Sequence, residues 1–175
     1  EAVVSPTAAA AAPTAASPVT AATPPAAASA GEAAAPSATM PSGAVELVAA
    51  GEGVYMQNCV ACHQPDGRGL PNVFPPMVGS EWVTGDPKIL LRIILNGQQG
   101  PVDVAGVTYE GAMPPWATLS DEDIAAVASY IRQLDENEAG AVTPDQVATV
   151  RAATADRTTP WTAEELQALE VGPTS

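Results

Sequence analysis

Apolar positions recur along this chain with a helical period in three stretches and with a two-residue period in one. Leu47, Ala50, Gly51, Val54 and Tyr55 fall at i, i+3, i+4, i+7 and i+8, one face of a helix. Gly51 lies on that face at a cost in helix propensity of about 1 kcal/mol against alanine, which predicts a close helix crossing there. A second helix is predicted from Asp86-Pro87, a cap followed by proline at the first helical position, to Asn96-Gly97. Ile89, Leu90, Leu91, Ile93, Ile94 and Leu95 make it apolar almost all round, so it should be buried. The third opens at Ser120-Asp121-Glu122-Asp123, with Ile124, Val127, Ala128, Ile131 and Leu134 as its core face. Val102-Asp103-Val104 and Val107-Thr108-Tyr109 flank Ala105-Gly106, a signal for a small hairpin or an Ω-type excursion.

The ends of the chain read differently. Residues 1–42 hold seven of the 18 prolines among Ala, Ser and Thr, with no aromatic residue and only Glu1 and Glu32 charged. Such a segment buries too little to repay its ordering entropy, so residues 1–42 are expected to be a disordered tether. Its reach as a flexible chain would be roughly 35–40 Å. Residues 135–142 are a polar break. Beyond it, Thr143-Pro144-Asp145 predicts a short helix to about Ala153, and Thr162-Ala163-Glu164-Glu165 is a capping box for a last helix ended by Gly172-Pro173. Neither is apolar enough to stand alone, so both should wrap the domain or a partner, with Trp161 as the anchor. The reading is one domain over 43–139, with an acidic extension over 140–175.

Charge narrows the partners. The net charge is −14, and residues 120–175 alone carry eleven acidic against three basic side chains. That balance disfavours nucleic acid and anionic membrane surfaces and suits a partner with a basic face. No run of about 18 apolar residues is present to span a membrane.

The chemistry is concentrated in Cys59-Val60-Ala61-Cys62-His63, which holds the only two cysteines and the only histidine. That spacing is a c-type haem attachment signal: two thiols add to the haem vinyl groups and the adjacent imidazole becomes the proximal iron ligand. A zinc site would need about four ligands, and no further Cys or His exists to supply them. A thioredoxin-like dithiol belongs beside strand–helix alternation, which is absent here, so a structural or redox disulfide is the remaining alternative. Covalent haem attachment places the site outside the cytoplasm in bacteria, so the sequence is expected to begin after a removed segment.

With one imidazole, the iron's second axial position decides the function. The candidates are Met40, Met56, Met77 and Met113. Met40 belongs to the tether, and Met56 lies too close before Cys59 to reach the opposite face. Met77, in a Gly/Pro loop running from Gln64 and expected to cross one haem face, is read as packing against the porphyrin. Met113, in Gly111-Ala112-Met113-Pro114-Pro115-Trp116, stands 50 residues beyond His63, where prolines can fix the backbone and aim a soft thioether. His/Met ligation leaves no vacancy for oxygen or peroxide, and one-electron transfer remains.

These residues resemble class I cytochromes c over about 43–135, above all bacterial single-haem domains attached to respiratory complexes and periplasmic dehydrogenases. The resemblance implies an all-α fold around one covalent haem c, with Cys59 and Cys62 as thioether links and His63 and Met113 as axial ligands. It implies that the Pro75 carbonyl accepts the proximal imidazole N–H. It places Gly51 and Tyr130 at a crossing of the first and third helices. Trp82, Tyr109 and Trp116 become haem-pocket aromatics, and Arg92 a partner for a propionate. Two departures stand out: Met77 replaces a frequent leucine, and the extension after residue 140 exceeds the minimal domain. Only Lys88 could supply the lysine ring that many small carriers use for docking.

The function expected is electron shuttling between extracytoplasmic redox partners of a respiratory chain, with membrane association only through an upstream anchor and no catalysis. The alternative is a haem-bearing structural subunit docked permanently in a membrane complex. A ligand sensor or peroxidase would require Met113 off the iron.

Overall fold

The computed structural model describes residues 42–170, all within one compact unit. Residues 1–41 of the expected tether, with Met40, and the Gly172-Pro173 stop lie outside the described residues, while Ser42 already begins the first helix. The elements run α1 (Ser42–Asn58), α2 (Val60–His63), α3 (Glu81–Thr84), α4 (Pro87–Asn96), β1 (Gln98–Val104), β2 (Val107–Met113), α5 (Asp121–Ile131), α6 (Pro144–Ala153) and α7 (Ala163–Glu170).

Helices α1 and α5 cross at Gly51. A Cβ there would collide with the Ala126 carbonyl and lie 2.7 Å from Tyr130 Cβ, so only glycine allows the approach. One helical turn on, the Tyr55 and Tyr130 rings meet with centroids 5.4 Å apart. Tyr55, Leu91, Leu95, Ile124, Ile131 and Val147 are fully buried in the core beneath. The caps form where the side chains supply them. Asp86 Oδ1 accepts from Lys88 N at 2.8 Å and Ser120 Oγ from Asp123 N at 3.0 Å, each satisfying a helix-end donor.

The fold is mostly helical with one small two-stranded sheet, which corrects the all-α fold that the resemblance implied. β1 and β2 form an antiparallel hairpin of seven residues each, pairing Gln98 with Met113 and Val102 with Tyr109. Ala105 and Gly106, at φ +50° and +78°, close it in two residues, since matching the strands' twist needs positive φ at both. The alternation of valines marked only the tip; the hairpin extends through Gln98–Pro101 and Glu110–Met113, where glycine, proline and alanine hide the period.

Both C-terminal helices pack on this frame. α6 buries Val147 and Val150, and α7 buries Leu166. Both capping boxes form, Thr143 with Gln146 and Thr162 with Glu165. Trp161 lies along β1 as a single parallel bridge to Gln98: Trp161 N donates to Gly97 O at 3.0 Å, and Gln99 N to Trp161 O at 2.8 Å. The Arg157 guanidinium stacks 3.4 Å from the centroid of the Trp161 ring.

Candidate functional site

Helix α1 delivers the cysteine motif, and short-range bonds fix it. Cys59 N donates to Tyr55 O at 2.8 Å and His63 N to Cys59 O at 3.0 Å. The buried Tyr55 hydroxyl donates to Gln64 O at 2.6 Å, pinning the point where the chain turns away at positive φ. Burial, then the nearby Cys59, push the Tyr55 phenol well above its ordinary pKa. Cys59 and Cys62 are not joined in a disulfide. Before attachment, the Cys59 thiol is raised to about 11 by burial and by Cys62 beside it.

The His63 ring lies with Nδ1 3.0 Å from the Pro75 carbonyl oxygen. A carbonyl only accepts, so Nδ1 carries the proton and Nε2 keeps its lone pair for a metal. Burial lowers the imidazole pKa, opposed by this bond. Gly69 makes the arrangement possible. Its N–H donates to His63 O at 3.0 Å, its φ is +65°, and a Cβ would fall 2.6 Å from the Pro75 carbonyl oxygen.

His63, Cys59 and Cys62 open into a cavity of about 300 Å³ with aliphatic and aromatic walls. Pro75 and Met77 line it from the loop, Leu90 and Ile94 from α4, and Val102, Val104 and Tyr109 from the hairpin. Trp82, Met113 and Trp116 complete the wall. Nearly every residue singled out in the sequence therefore lines one cavity. Met113 sits at the end of β2, so strand pairing to Gln98 holds it as much as the prolines that follow. Met77, also lining, is buried, and its N–H donates to Gly67 O at 2.7 Å. Met56 is exposed on α1 and does not line the cavity.

Arg92 is the exception. It is absent from the cavity wall; its Nη1 donates to Lys88 O at 3.0 Å and its guanidinium lies 6.0 Å from the Trp161 ring centroid. At 100° per residue it points about 200° from Leu90, which faces the cavity, so the helix turns it outward.

Three polar residues that hold the surrounding loops carried no signal in the sequence. Buried Arg132 donates to the carbonyls of Gly140, Val83 and Gly85 at 2.8, 2.6 and 2.9 Å. Asn137 donates to Met77 O and Ile131 O and accepts from Gly79 N. Arg151, on α6, contacts the segment after Trp116. None of the three belongs to a motif, and only folding reveals its partners.

Two cysteines, an imidazole with its outer nitrogen already engaged and a thioether around one apolar cavity fit a haem. Residues 46–131 match the family model described as cytochrome c oxidase, cbb3-type, subunit III. The chain belongs to the c-type cytochromes.

Among its relatives, cytochrome c-552 of Thermus thermophilus is 41% identical over 87 residues, 47% of this chain and 66% of that protein. The cytochrome c subunit of the quinone alcohol dehydrogenase of Gluconobacter oxydans is 34% identical over 106 residues, 58% of this chain and 22% of that one. The cbb3-type cytochrome c oxidase subunit FixP of Bradyrhizobium sp. (strain ORS 278) is 34% identical over 89 residues, 49% of this chain and 27% of its own length. The chain thus spans less than two thirds of each of these relatives. The cofactor of this cytochrome is covalently bound c-type haem, and Cys59 and Cys62 stand at the positions of the attachment motif.

Proposed function

We propose that this cytochrome carries single electrons between two redox proteins, with His63 and Met113 closing the axial positions of one haem and the fold enclosing it in the class I manner. The observation that carries the reading is the placement of an oriented imidazole and a thioether in the wall of the same apolar cavity. When bound, the haem supplies an iron that cycles between two oxidation states.

The chain's residues do the rest. Cys59 and Cys62 anchor the group, and Pro75 orients and enriches His63 through Nδ1. Met113 withholds the remaining position from small ligands. Trp82, Tyr109 and Trp116 exclude water, which raises the electrostatic worth of every group around the iron. The role is that of a carrier, with no substrate chemistry of its own. Its relatives include proteins named as cytochrome subunits of dehydrogenases.

Of the six basic side chains, Arg68, Arg151 and Arg157 are in ion pairs and Arg132 is buried. The surface left is acidic, which supports redox partners with basic faces. We place the protein outside the cytoplasm on the chemistry of haem attachment, with residues 1–42 as tether to an anchor or larger subunit. Among the described residues no helix is long and apolar enough to cross a membrane.

A potentiometric titration of the holoprotein tests the role. A single reversible one-electron wave, with a reduced form inert to carbon monoxide, is expected. A reduced form that binds carbon monoxide at once would move the protein to the sensors or peroxidases. The second reading, a permanently docked subunit, is favoured by the subunit names of the relatives. A stoichiometric complex surviving native purification would select it.

A further inference from the structure

We propose that Arg151 is a positioning residue for Met113, reaching from the C-terminal extension to hold the Met-Pro-Pro turn closed; this rests on Met113 being an iron ligand. Arg151 lies outside the segment 46–131 that the family model matches.

Consider what ties down the backbone after Met113. Pro114 and Pro115 have no N–H to donate. Trp116 N donates to Ile94 O at 2.8 Å, and Leu119 N to Trp116 O at 3.1 Å. The carbonyls of Ala117 and Leu119 are taken up by the extension: Arg151 Nη1 donates to Ala117 O at 2.6 Å and Nη2 to Leu119 O at 2.8 Å. Arg151 Nε donates to Asp121 Oδ1 at 2.7 Å, which aims the planar fork. All three groups of one guanidinium are thus spent on residues 117–121, between the Met113 turn and the body of α5. Bonds from a charged donor are the strong class.

The extension also braces the turn from its other side. Gln98, paired with Met113 across the hairpin, is bridged on its opposite edge by Trp161. Met113 is thereby held between two grips from the same C-terminal segment. The consequence is functional: a turn that lifts exposes the iron to outside ligands, and a turn that stays keeps the site to electron transfer.

Val147 and Val150 are the buried side chains of α6, so Arg151→Gln leaves the apolar contacts that dock that helix in place. The test follows the near-infrared sulfur-to-iron band of the oxidised holoprotein against temperature, beside far-ultraviolet circular dichroism and carbon monoxide binding after reduction. In Arg151→Gln the band should bleach well before global unfolding, and carbon monoxide should bind about tenfold faster, as expected for loss of charged hydrogen bonds. Asp121→Asn, a milder variant, should move both in the same direction, and Arg151→Lys should restore part of the wild-type behaviour. Arg68→Gln, which breaks an exposed ion pair elsewhere, should leave both unchanged.

If the band in Arg151→Gln melts in step with the helices, or does not change, Arg151 only staples α6 to α5 and the proposal is overturned. If Met113→Ala keeps the band, the ligand assignment itself is wrong and the proposal falls with it. If Met113→Ala loses the band while the Arg151 and Asp121 variants do not respond, this proposal alone falls.

Discussion

The two sides of the cavity are built in opposite ways. The histidine side is assembled from its own neighbourhood, Tyr55 to Pro75, through bonds that rarely reach beyond a dozen residues. The methionine side is assembled from afar. Met113 pairs with Gln98, Gln98 is bridged by Trp161, Trp116 hangs from Ile94, and Arg151 holds Ala117 and Leu119. A covalent, locally wired ligand should persist through partial opening, whereas a ligand placed by distant elements should be lost first. Local opening draws on the regions with the fewest such ties.

The contrast can be broken most severely where both sides depend on one contact. Gly51→Val would drive a side chain into the Ala126 carbonyl and part α1 from α5. A loss of about 3–5 kcal/mol, or failure to fold, is expected by denaturant unfolding. A loss under about 1 kcal/mol would mean that the crossing relaxes freely.

Gly69→Ala strikes the histidine side alone. It adds a methyl against the Pro75 carbonyl at a backbone angle that favours glycine. We expect a cost of about 2–3 kcal/mol. The imidazole should be displaced while the Met113 band intensity per intact haem is retained. Loss of the band without a change at the imidazole would contradict the separation of the two sides.

Asn137→Ala removes three hydrogen bonds, leaving the Gly79 N–H without its side-chain acceptor and the Met77 carbonyl with only the long 3.4 Å bond from Ser80 N. About 2 kcal/mol of destabilisation is expected. An unaltered unfolding midpoint would show that water replaces the side chain.

The smallest effect is reserved for acid. The Thr162 backbone N–H, and then Arg157, hold the Glu165 carboxyl below its ordinary 4.5. A depressed carboxylate stabilises the fold above its unfolded pKa, and that contribution disappears as pH falls through the folded value. Trp161 fluorescence should therefore report slight loosening of α7 below about pH 4.5. Glu165→Gln should abolish that phase, and persistence of the phase in the variant would assign it to another group.

The histidine side was legible in the sequence because its chemistry and its supports are neighbours. Cys59, Cys62, His63 and Pro75 lie within 17 residues, and Gly51 announced a close crossing by standing on an apolar face. The methionine side was legible only in part. Met113 stood out by its prolines, but the strand that carries it did not, since Gly100, Pro101, Gly111 and Ala112 break the two-residue alternation. Arg151 and Asn137 gave no signal at all. Apart from the Asp121 carboxylate, their distant partners are main-chain groups 32 to 60 residues away, and a main-chain group has no residue type to read. Arg92 lies off the cavity wall and beside Trp161, since a place on a helix near a cavity does not fix which way a side chain turns.

The most direct test of His63/Met113 ligation is the near-infrared spectrum of the oxidised holoprotein beside Met113→Ala and Met77→Ala. The account requires a sulfur-to-iron band in the wild type that survives Met77→Ala and vanishes in Met113→Ala. A band that survives Met113→Ala and vanishes in Met77→Ala would transfer the ligand to the loop, and with it the claim that distant elements close the site.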